Sequence, residues 1–169
     1  TGGVTATAPS QVNLAGTIQT TNTLMSLGDA GTPVVLTANT ILSGNTAGAI
    51  TLGGTVNGGY SLTVNTTGTT TLSGDIGGNT ALTTLTTNTG GTTVISVDIE
   101  TSSTQTYNDA VTINGTLDFT GSTVQFANTL AGDDGTGDNL TISGALDLDG
   151  AATSLTSLTV EGTSNLGAD

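Results

Sequence analysis

The feature that most constrains this chain is a short apolar–hydroxyl–apolar triplet that returns along its length. Ile50-Thr51-Leu52, Leu62-Thr63-Val64, Val111-Thr112-Ile113, Leu140-Thr141-Ile142 and Leu158-Thr159-Val160 are its clearest copies. Val34-Val35-Leu36 and Val124-Gln125-Phe126 vary the same theme. A period of two puts the outer residues on one face of a strand and the middle one on the other. Turn formers follow the triplets, at Gly53-Gly54, Asn57-Gly58-Gly59, Gly77-Gly78-Asn79, Asn114-Gly115 and Asp149-Gly150. Strands of about three to five residues, so densely spaced, suit a sandwich, a barrel or a solenoid. The good helix formers Glu, Lys, Arg and Gln are nearly absent, so helix is not expected.

Repetition chooses among the three. The segment from Gly78 to Thr86 returns from Gly150 to Thr159 with one insertion. The segment from Gly59 to Val64 returns from Gly137 to Ile142, and Thr55-Val56-Asn57-Gly58 returns as Thr129-Leu130-Ala131-Gly132. The offsets, roughly 72 to 78 residues, suggest two degenerate long copies, 14–93 and 94–169, in one continuous unit covering 1–169. Within each copy the triplets recur about every 10 to 20 residues, a rung spacing typical of β-helices. The only rings are Tyr60, Tyr107, Phe119 and Phe126. Thin aliphatic stacks are therefore expected in the core, whereas a sandwich fills a gap of about 10 Å. The expected fold is all-β: a β-solenoid, a right-handed parallel β-helix, because right-handed crossovers dominate parallel connections. Tandem β-sandwich modules are the alternative. On the chosen fold Leu140 and Ile142 point inward and Thr141 outward. Leu140→Asp should then cost several kcal/mol and Thr141→Asp at most about 0.5 kcal/mol.

Composition excludes more than any motif. The 169 residues contain no Lys, Arg, His, Cys or Trp, and the net charge is −13. Without cations the chain cannot neutralise phosphates, so nucleic acid and anionic membrane are not expected partners. Without His or Cys it has no Ser–His–Asp triad, no thiolate nucleophile and no ordinary zinc, haem or iron–sulfur site. Without Lys there is no Schiff base and no Lys–Asn isopeptide clamp. The expectation is a protein that is not an enzyme and carries no cofactor. Mean hydropathy is +0.15, with Leu, Ile and Val throughout, which argues against disorder. No apolar run of about 18 residues is present, so no membrane insertion is expected. The chain opens at Thr1 with no leader-like segment and reads as cut from something longer.

The phrase Gln105-Thr106-Tyr107-Asn108-Asp109-Ala110-Val111-Thr112-Ile113, continued by Asn114-Gly115-Thr116-Leu117, resembles a recurring phrase of very large bacterial surface proteins. These are the filamentous-haemagglutinin-like and autotransporter-type adhesins. Ser122-Thr123-Val124-Gln125-Phe126 and the segment from Ser154 to Val160 are similar to the same template. Gln19-Thr20-Thr21-Asn22-Thr23 departs from it, lacking the Tyr and the Asp-Ala-Val. The resemblance implies a secreted, repetitive, right-handed β-helical stalk at the cell surface, without catalytic residues. Expected partners are other copies or flanking repeats stacked end to end, and surface glycans.

Carboxylates are unevenly placed: only Asp29 and Asp75 precede Asp98. The densest group is Asp133, Asp134 and Asp138, with Asp147 and Asp149 beyond it. Calcium wants six or more oxygens, which clustered acids and turn carbonyls can supply. The phase of a repeat-in-toxin motif is missing, however, so a solvated acidic loop is the plainer expectation and no metal site is assigned. Paired acids on a β-helix could also suggest glycoside hydrolysis, but nothing basic or indole-bearing is present to position sugar. Thr-x-Thr pairs begin at Thr5, Thr21, Thr69, Thr84, Thr87 and Thr104. On one flat face they could bind ice; without a common coil spacing they read as β-propensity. Asn-x-Ser/Thr sequons start at Asn65, Asn114 and Asn139. Two functions of different kind follow: a structural segment of an adhesin or extracellular filament, or a module binding Ca²⁺, glycan or ice.

Overall fold

The computed structural model describes residues 3–6 and 10–167. Among them there is no helix, and all nineteen strands pair in parallel. An eight-stranded and an eleven-stranded sheet result. The chain winds as a β-solenoid of about 7 turns. In one turn Met25–Leu27 forms the first face, and Val34–Ser43 runs along the second and third. The chain then returns as Ile50–Leu52, directly above Met25–Leu27. The larger sheet bends at a corner. There the register shifts between Leu14 and Gly16, and again between Thr120 and Thr123. On the next turn the strand is in two pieces: Val56–Asn57 and Leu62–Asn65 both pair with Val34–Ser43.

Alternation works as the triplets require. Leu62, Val64, Leu140 and Ile142 are buried, with Thr63 and Thr141 on the outer side. Because pairing is parallel and in register, inward residues fall into columns along the axis. One runs Val12, Val34, Val56, Ile76, Ile99, Phe119, Ile142, Val160. Each fully buried aliphatic side chain contributes roughly 1.5–3 kcal/mol, and its neighbours above and below lie one strand spacing away, about 4.8 Å.

Two expectations are adjusted. The stacks are not purely aliphatic: Tyr107, Phe119 and Phe126 meet in the core, with centroids 5.1 Å apart for Tyr107–Phe126 and 5.9 Å for Tyr107–Phe119. Tyr107 and Phe126 are register partners on successive turns, so the rings stack along the axis and need no wide gap. Tyr60 alone among the rings is exposed. The geometric repeat is the single turn, with register partners 18 to 25 residues apart. The segments matched over the longer offset occupy different faces. Leu62 pairs with Leu85 on the third face, whereas Leu140 pairs with Leu117 on the second.

Coil corners are closed by side chains reaching one turn along the axis. The Asn22 Oδ1 accepts from the N–H groups of Thr46 and Ala47, and the Asn57 Oδ1 from those of Asn79 and Thr80. Such bonds satisfy corner amides that no strand pairing serves. The outermost strands leave one edge unpaired by the described residues, and Leu166 in the last turn is 66% exposed.

Candidate functional site

The acidic loop at 132–138 is brought to a point. It follows the first-face strand Leu130–Gly132 and leads into Asn139–Leu148 on the second face. Gly135 and Gly137 adopt positive φ, 76° and 78°, which curls the loop back on itself. One carboxylate oxygen from each of Asp133, Asp134 and Asp138 then lies within 4.8 Å of the other two. Asp133 and Asp134 are exposed, whereas Asp138 is 1% exposed. The Asp138 Oδ1 accepts from the Gly115 N–H at 2.9 Å, and its Oδ2 is buried without a hydrogen-bond partner. The Gly115 amide holds the Asp138 carboxyl below the ordinary carboxylate value. Burial opposes this; the nearby amides of Asp134 and Gly135 and the Asp133 side chain assist it. Asp133 accepts from Asn114 Nδ2, and Asp134 Oδ1 from the Thr136 N–H and hydroxyl.

The cluster was visible in the sequence; the burial of Asp138 was not. Asp147 and Asp149 do not join the cluster. The Asp147 carboxylate instead accepts from Gln125 Nε2 and Asn165 Nδ2 on the turns either side.

A second buried carboxylate had no sequence signal beyond its place in the Gln105–Ile113 phrase. Asp109 sits at the corner between third and first faces, where Thr87 and Thr93 hydroxyls donate to its Oδ1 at 2.8 and 2.9 Å. Beside it the Tyr107 hydroxyl donates to Gln105 Oε1 at 3.0 Å, and Gln105 Nε2 donates to the Thr120 carbonyl. Burial raises the Asp109 carboxyl above its ordinary 3.8, against the pull of the two threonine hydroxyls and its own N–H. Burial, then the Asp109 charge, also raises Tyr107 well above 10. Because the folded state holds the Asp109 proton more tightly, this group's contribution is complete below pH 3.8 and is lost as pH rises through the raised value. Asp138 has the opposite sign: its contribution is lost only as pH falls through a value below 3.8. Stability in urea is therefore expected to rise from pH 7 to about pH 4, and Asp109→Asn to flatten that rise. A variant with an unchanged pH profile would contradict the assignment.

A groove of about 240 Å³ on the second face carries a row that sequence reading missed. Asp75, Asp98 and Asp118 precede the stacked Ile76, Ile99 and Phe119, so they fall on successive turns, with Glu100 beside them. The Asp118 N–H donates to the Asp98 Oδ1 at 2.9 Å. Only the register, absent from a linear sequence, reveals the row. The Thr-x-Thr pairs divide between faces: Thr86 stacks on Thr106 on the third, whereas Thr69 and Thr71 pair with Thr92 and Val94 on the first. Thr7, of the first pair, lies outside the described residues.

Among the described residues no helix is long and apolar enough to cross a membrane. Comparison with known proteins finds no matching family model, no similar curated protein and no similar solved structure.

Proposed function

We propose that this chain is a structural segment of a secreted or cell-surface adhesin or extracellular filament, a durable spacer that catalyses no reaction. The observation that carries the reading is the inward column that runs through every turn from Val12 to Val160. A solenoid of this kind gains stability from each neighbouring turn and gives length in proportion to residues. Its terminal strands offer unpaired edges on which flanking repeats or another copy can continue the stack, end to end. Sideways association is opposed by a surface of one sign, with net charge −13. The absence of Lys and Arg removes every trypsin site, and short corners leave little loop for other proteases. This favours service outside the cell.

The test is antibody against the folded chain applied to intact cells of the source organism. Labelling without permeabilisation, with the isolated chain also resisting thermolysin for hours at 37 °C, is the expected result. Labelling only after permeabilisation, or turnover of a sugar polymer by the purified chain, would overturn the reading.

A further inference from the structure

We propose that the 132–138 loop is a calcium site, with Asp133, Asp134 and Asp138 as its carboxylate ligands. Three observations meet there. Three carboxylate oxygens converge within 4.8 Å in a chain that has no Lys, Arg or His to offset them. The buried member, Asp138, keeps one oxygen without any hydrogen bond, although buried polar atoms are as a rule partnered. The third is a cradle that only glycine permits: a Cβ on Gly132 would stand 2.6 Å from Asp138 Oδ2 and 2.2 Å from the Ser154 carbonyl oxygen. Gly132 therefore leaves room beside its own Cα for both the Ser154 carbonyl oxygen of the next turn and the orphan carboxylate oxygen.

The donor set is all oxygen, which selects a hard cation over zinc or copper. Two of the three carboxylates are exposed and set on a glycine-bearing loop, so the shell is irregular and adjustable. That suits Ca²⁺, which takes six to eight oxygens in flexible geometry, better than Mg²⁺, which demands a near-ideal octahedron. The affinity expected of such a loose site is that of extracellular modules, about 10⁻⁴–10⁻³ M. The acidic row at Asp75, Asp98 and Asp118 lacks a buried orphan oxygen and is not assigned a ligand.

Calcium chloride titrated calorimetrically into the 169-residue chain in 0.15 M NaCl tests this. One saturable site in the stated range is expected, with MgCl₂ at least five-fold weaker. Asp138→Asn should weaken binding at least ten-fold and Asp134→Asn several-fold, while Asp147→Asn, outside the cluster, leaves it unchanged. Should Asp138→Asn fail to fold, Asp133→Asn and Asp134→Asn at exposed positions carry the same test. No saturable heat up to 10 mM CaCl₂, binding equal in the Asp134 and Asp147 variants, or equal affinity for MgCl₂ would each overturn the assignment. The spacer reading does not depend on the result, because surface labelling is read without calcium.

Discussion

Leu140→Asp is expected to destabilise the chain by about 4 kcal/mol or more, read as a shift of the urea midpoint. Leu140 has no exposed surface and lies in register between Leu117 and Leu158, in the apolar second-face column. A carboxylate there loses its hydration, and no cation anywhere in the sequence can compensate it. It must take up a proton or force the turns apart to admit water. Stability in a solenoid is shared between neighbours, so the loss strikes the turns on both sides. Thr141, one residue along, points outward, and Thr141→Ser is expected to stay within about 0.5 kcal/mol. Thr141→Asp is a poorer control than the sequence suggested. The register places Thr141 beside Asp118, and like charges on adjacent strands repel. Equal destabilisation by Leu140→Asp and Thr141→Ser would contradict the alternation on which the fold rests.

The same residues show what a linear sequence can carry. Leu140-Thr141-Ile142 announces its inward and outward sides because side-chain direction in a strand depends only on parity. Turn length is less legible, because corners absorb insertions: Thr93 pairs with Val111 after 18 residues and Met25 with Ile50 after 25. Leu62 and Leu140 are therefore similar in pattern across a long offset but sit on different faces. Buried polar groups were the least visible. Gln105 and Asp109 look like ordinary surface residues until the coil brings Thr87, Thr93 and the Thr120 carbonyl to them from other turns. Asp138 was legible as an acid in an acidic loop, but not as a buried one, held by the amide of Gly115, 23 residues away.

The corner between second and third faces makes the other large prediction, through a glycine whose need is steric as well as conformational. Gly144 has φ of +152°, and a Cβ there would stand 1.9 Å from the carbonyl oxygen of Gly121 on the preceding turn. A Cβ on Gly162, on the following turn, would in its turn meet the Gly144 carbonyl at 2.2 Å. At Gly121, Gly144 and Gly162 three successive turns thus rest backbone on backbone at this corner, and only hydrogen fits between. The obstructing atom belongs to a backbone that is itself held in the sheet: the adjacent Ser122 N–H donates to the Ser103 carbonyl at 2.7 Å. It cannot swing aside as the end of a flexible side chain would, so relief requires the strand to shift. Gly144→Ala is accordingly expected to cost about 3 kcal/mol, near the upper range for strained backbone positions. Gly115 separates the two contributions. Its φ is +100°, but nothing lies within 4 Å of its Cβ position, so Gly115→Ala meets the conformational penalty alone, about 1 kcal/mol. Gly59, with open space and no positive φ, should tolerate alanine with no loss, or a gain of about 0.4–1 kcal/mol from a less flexible unfolded chain. Urea midpoints of the three variants should therefore fall in the order Gly59, Gly115, Gly144. Gly144→Ala as stable as Gly115→Ala would mean that the turns are not in backbone contact at this corner, and the close stacking described here would have to be abandoned.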